Sequence, residues 1–90
     1  MDMKNLGTLR LTLHRRWFDM IQTGQKKEEY REIKPFWITR LNKDYTRVEF
    51  INGYHTDADR FTVGLKKISV GYGRKDWGAP RKKVFILLLV

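Results

Sequence analysis

The sequence predicts an α+β chain, one small mixed β-barrel of about five strands with two short helices. Three observations in its 90 residues lead there. Apolar residues alternate along Thr8–His14 and Arg47–Asn52, the period of a half-buried strand. The period changes at Trp17, Met20 and Ile21, which stand at i, i+3 and i+4, and a second helical pattern follows Pro35. Between Arg60 and Tyr72 the alternation slips by one residue midway, which calls for a bulge or a sharp bend.

Each element follows from its residues. In the first strand Leu9, Leu11 and Leu13 share one face, with Arg10, Thr12 and His14 on the other. Arg15–Thr23 reads as a short helix laid over the core, stopped by Gly24. The charged run Lys26–Ile33 follows that stop and reads as a strand. Its alternation groups Lys27, Glu29, Arg31 and Ile33 on one face, and Lys26, Glu28, Tyr30 and Glu32 on the other. Pro35 suits the first turn of a second helix, given an apolar side by Phe36, Trp37, Ile38 and Leu41. Arg47–Asn52 is the next strand, and Asn52-Gly53 opens a long hairpin connection. Along Arg60–Tyr72 the apolar residues move from Phe61, Val63 and Leu65 to Ile68 and Val70, so one long strand turns a barrel corner. Gly71, Gly73, Gly78 and Pro80 mark a loop. Val84–Val90, apolar throughout, suits a final strand covered on both faces.

Composition bounds the function. The length fits a single domain spanning residues 1–90, and the absence of cysteine removes disulfides and thiolate metal sites. His14 and His55 lack metal-ligand spacing, the Asp57–Asp59 pair is too sparse for a cation, and no cofactor motif is present. The longest apolar run is too short to span a bilayer, and Lys4, Asn5, Arg10 and His14 interrupt any secretory signal. A cytoplasmic domain with no membrane partner is expected. The formal net charge is +9, concentrated in the last third, where Lys66, Lys67, Arg81 and Lys82 are among eight cations facing Asp76 alone. Such a surface attracts polyanions, so RNA or a nucleotide is the expected partner and those four lysines and arginines are expected contacts. Docking of an acidic protein is the alternative use of the same charge, and a solvated face that keeps the domain soluble is the plain one.

The candidate site is the run Gly24-Gln25-Lys26-Lys27-Glu28-Glu29-Tyr30-Arg31. Strand alternation puts Glu29 and Arg31 on one face, where they pair with each other or flank a ligand. Gly24 lets the chain bring Lys26 to the cleft rim, as a phosphate-binding or solvated lysine or, if neighbouring cations lower its pKa, as a catalytic one. Trp17, Phe18, Phe36, Phe50, Phe61 and Phe85 lie on apolar stripes and are expected in the core. Tyr30, Tyr54, Tyr72 and Trp77 stand beside turns or polar runs and are free to stack on an unpaired base, Trp77 foremost. His14, at a strand end beside Arg15-Arg16, is a further binding candidate; nothing is assigned to His55.

The pattern G-x-K-x-x-E-x-R, set between a helix stop and a new strand, resembles the ASCH domain family, which is related in fold to the PUA domains that bind RNA. The likeness takes in the opening strand, the first helix, the motif, the Glu49–Gly53 strand end, the bent strand and the last strand. It implies a PUA-like barrel with a cleft at the motif and a role in binding RNA. One branch of the family hydrolyses an acetylated cytidine nucleoside with a lysine, a threonine and a glutamate, and nuclease activity has been attributed to others. Lys26 matches that lysine and Glu29 occupies the threonine position. The branch's glutamate has no counterpart in Gly71–Lys83, which offers only Asp76. The resemblance therefore implies RNA or modified-nucleotide binding through Lys26, Glu29 and Arg31. Its alternative is a small nucleoside hydrolase or ribonuclease, with Lys26 and Glu29 as the catalytic pair.

Overall fold

Strand β1 (Thr8–Leu13) buries Leu9, Leu11 and Leu13 and turns its polar residues outward, as its alternation requires. Helix α1 (Arg15–Gln22) follows at once and buries Phe18 and Ile21. The computed structural model describes residues 7–90, so the N-terminal signal reading at Lys4 and Asn5 lies outside the described residues. The remaining elements are β2 (Glu28–Arg31), α2 (Pro35–Arg40), β3 (Arg47–Asn52), β4 (Arg60–Gly71), a 3₁₀ turn (Lys75–Trp77) and β5 (Val84–Leu89).

One curled sheet carries all five strands in the order β1-β3-β4-β5-β2, an open half-barrel. β1 runs parallel to β3, and the other neighbours are antiparallel. The slip expected in β4 falls between Leu65 and Lys67. Residues 60–64 of β4 pair with β3, Gly64 opposite Arg47; Leu65 and, past the slip, Lys67–Gly71 pair with β5, Ile68 opposite Leu87. The bulge thus turns one strand through the barrel corner and joins the two halves of the sheet.

Inside the curl lie Leu9, Leu11, Leu13, Phe18, Ile21, Leu41, Val48, Phe50, Leu65, Leu87 and Leu89. Phe18 meets Phe61 edge-on with centroids 4.8 Å apart, which ties α1 to the sheet. A smaller cluster of Tyr30, Ala79 and Val84 closes the end near β2.

Three expectations need correction. The strand expected over Lys26–Ile33 is confined to Glu28–Arg31, because the chain before it is folded back on α1 by the Lys26 N–H bond to the Met20 carbonyl. Phe36, expected in the core, is exposed, since the six-residue α2 buries none of its residues and turns Phe36 against Trp37 on the outside. β5 is covered incompletely: Val84, Leu87 and Leu89 are buried, while Phe85, Ile86 and Leu88 are half-buried. No helix among the described residues is long and apolar enough to cross a membrane.

Candidate functional site

The two edge strands, β1 and β2, flank the open side of the half-barrel, and the motif lies on that opening. Gly24, at φ +82°, ends α1 in a conformation that suits glycine. The chain then doubles back, and the Lys26 N–H donates to the Met20 carbonyl at 2.9 Å. This reversal carries Lys26 inward rather than to the rim. Its residue is 2% exposed and Glu29 is 4% exposed, the buried charged residues among those described. Strand alternation alone puts Lys26 and Glu29 on opposite faces; the reversal before β2 brings them together.

Glu29 is shared by two cations. Lys26 Nζ lies 3.1 Å from Glu29 Oε1, and Arg31 donates to Glu29 Oε2. Lys26 also donates to the Trp77 carbonyl, and its ammonium lies 4.8 Å from the Trp17 ring centre and 4.9 Å from that of Tyr30. Arg31 donates further to the Tyr30 carbonyl at 2.8 Å and, across the opening, to the Thr12 carbonyl of β1 at 3.4 Å. Burial lowers the Lys26 amine below its usual 10.5; the nearby Glu29 carboxylate opposes that shift in part. The cluster sets two cations on one carboxylate, and Glu32, the other carboxylate of the lining, is held by Lys34 at 3.3 Å and Lys82 at 2.9 Å, so an anion or a carbonyl oxygen on a ligand is a fitting further partner for Arg31.

The opening is a cavity of about 410 Å³. Its walls include His14 from the end of β1, Trp17 of α1, Glu29 and Arg31 of β2, Trp37 of α2 and Trp77 of the 3₁₀ turn. All three tryptophans of the chain line it. Each carries a cation on its ring: Arg16 over Trp17 at 4.6 Å, Arg31 over Trp37 at 5.2 Å and Arg74 over Trp77 at 4.1 Å.

The loop that holds Trp77 is fitted closely to the site. The Arg74 N–H donates to Tyr30 Oη at 2.9 Å, and that hydroxyl donates to Glu28 Oε1 at 2.8 Å. A Cβ at Gly73 would stand 2.3 Å from the Tyr30 ring. One at Gly78, where φ is +93°, would stand 2.9 Å from Trp17. Tyr30 is therefore a buried anchor for the loop and not a free stacking surface, and its burial pushes the phenol pKa upward.

The structure brings Lys26, Glu29, Arg31, Trp77 and His14 to one cavity. Lys66, Lys67 and Arg81 are exposed and lie outside its lining. Lys82 is paired with Glu32 at 2.9 Å beside an adjoining depression. Sequence reasoning missed Trp17, assigned to the core, and Trp37, assigned to the apolar side of α2. The adjacent Arg16-Trp17 pair was a usable signal; Trp37 carried none. Among the described residues, no group of three or more His, Asp or Glu could hold a metal ion.

No protein-family model matches the chain, and neither does any curated protein or solved structure.

Proposed function

We propose that this is an ASCH-like domain with a PUA-like barrel, and that its cleft binds a nucleotide or a single-stranded stretch of RNA without turnover. The observation that carries this reading is the make-up of one cavity: three indoles around a buried Lys26–Glu29 pair joined by Arg31, with Glu32, the other carboxylate of the lining, held by Lys34 and Lys82. Indole rings accept any base face, and the cations suit phosphate or carbonyl oxygens. The cavity volume falls within the range of small-molecule sites. The strongly basic composition supports the same ligand class.

Because every tryptophan lines the cavity, intrinsic fluorescence reports its occupancy directly. Titration with nucleoside monophosphates and short single-stranded RNAs is expected to change emission saturably. Arg31→Ala leaves Lys26 paired with Glu29 and should cost about 1.5–3 kcal/mol of affinity. A flat titration to millimolar ligand would overturn the reading.

One observation favours catalysis instead. A lysine whose pKa is lowered by burial, 3.1 Å from a carboxylate, is equipped to move protons. Incubation with acetylated cytidine and short RNAs, followed by mass, separates the two. Product that vanishes in Lys26→Ala would replace binding by hydrolysis.

A further inference from the structure

We infer that the cleft continues into a second nucleotide subsite, so that its preferred ligand is a single RNA strand of at least two nucleotides. This rests on the nucleotide-binding reading above and specifies it.

Beside the Lys26 cavity lies a second one of about 400 Å³. The two share Thr12, Leu13, His14 and Tyr54, so they adjoin along the end of β1. Tyr54 stands at the divide. It lines both cavities and its residue is 92% exposed, so little of the protein holds its ring away from a ligand in either. The Asn52-Gly53 turn, with Gly53 at φ +81°, places it there directly after β3.

The second cavity has its own chemistry. Both histidines of the chain line it, together with Arg15 and Asn52, and no carboxylate does. Arg15 faces Asp19 at 3.6 Å, but both side chains are more than half exposed, so the pairing is weak and a phosphate can displace it. A chamber with three indoles, the buried Lys26 ammonium and the Arg31 guanidinium fits one nucleotide. An exposed tyrosine at the divide, with the His55 imidazole, the Arg15 guanidinium and the Asn52 amide beyond it, fits the linking phosphate and the next base. A ligand that ends after one nucleotide leaves these groups unused. His55, to which the sequence assigned nothing, thereby acquires a role as a contact to the second nucleotide.

The test is calorimetric titration of the full chain with adenosine 5′-monophosphate, adenosine 3′,5′-bisphosphate and the 5′-phosphorylated dinucleotide of adenosine, at one fixed salt concentration. A second stacked base is expected to tighten binding about 5- to 150-fold over the bisphosphate. That ratio should fall toward one in the Tyr54→Ala/His55→Ala variant, which removes the stacking ring and the imidazole beyond it, and because it is read within each protein a general loss of stability does not imitate it. Monophosphate binding with a dinucleotide ratio near one would overturn the second subsite and leave the nucleotide reading standing. No binding of any of the three would overturn both. A ratio that survives the double variant would place the second base elsewhere and refute the assignment.

Discussion

Removing Glu29 should damage the fold far more than removing any exposed carboxylate. Glu29→Ala deletes the carboxylate that Lys26 meets at 3.1 Å and that Arg31 also contacts. Arg31 keeps the Thr12 and Tyr30 carbonyls, and with 17% of its side chain exposed it can turn toward water. Lys26 has no such exit. With a side-chain exposure of 2%, it keeps the Trp77 carbonyl and the two aromatic rings and loses its counter-charge. Breaking a buried pair on one side typically costs about 3–5 kcal/mol, and the ring contacts offset roughly 0.5–2 kcal/mol, which sets an expectation of about 3 kcal/mol. For a domain of this length the whole stability is roughly 5–13 kcal/mol. Urea unfolding followed by tryptophan emission and far-UV dichroism measures the change. Replacing both partners, Lys26→Met with Glu29→Leu, should recover most of the loss, since neither charge then remains buried. A Glu29→Ala loss below about 1 kcal/mol, or an equal loss in the double variant, would refute the picture of a buried, mutually dependent pair.

Two further outcomes follow from the same neighbourhood. A lowered Lys26 pKa means the folded chain holds fewer protons than the unfolded one up to pH 10.5, so this group makes stability rise with pH in that window. Tyr30 acts oppositely: its raised pKa contributes stability that is fully present below pH 10.0 and lost above it. Denaturation curves from pH 7 to 11 should lose the rise in Lys26→Met and the later fall in Tyr30→Phe; unchanged profiles would contradict both assignments. Gly73→Ala forces a methyl to within 2.3 Å of the Tyr30 ring, so it should cost about 1–3 kcal/mol by overpacking and displace the Trp77 loop. Thermal unfolding together with tryptophan emission checks this, and a wild-type melting curve would contradict it.

Much of this fold was legible because its signals are local. The one-residue slip in β4 must appear in the sequence, since a strand keeps its apolar side inward only by changing parity at a bulge. The helix stop at Gly24 and the alternation of β1 are equally local. The site was legible only in part. The Glu29–Arg31 pairing follows from strand period, whereas the burial of Lys26 depends on a reversal closed by a backbone bond to Met20. Lysine in a charged run gives no hint of that, because the residue type argues for solvent. The cavity walls were less legible still. Trp77 stood out beside its polar loop, but Trp17 and Trp37 lie on apolar stripes of two other elements that meet it only when the sheet curls, and such a stripe looks the same whether it faces a core or a cleft.

The measurement that bears most directly on the cleft is a nuclear magnetic resonance titration with a short single-stranded RNA, following the three indole N–H resonances and the backbone amides. Binding in the cleft predicts that the indoles of Trp17, Trp37 and Trp77 move together with the amides around Lys26–Arg31, while those of Lys66 and Lys67 stay still. Shifts confined to Lys66, Lys67 and Arg81 with unmoved indoles would contradict the account and assign the RNA to the basic outer surface.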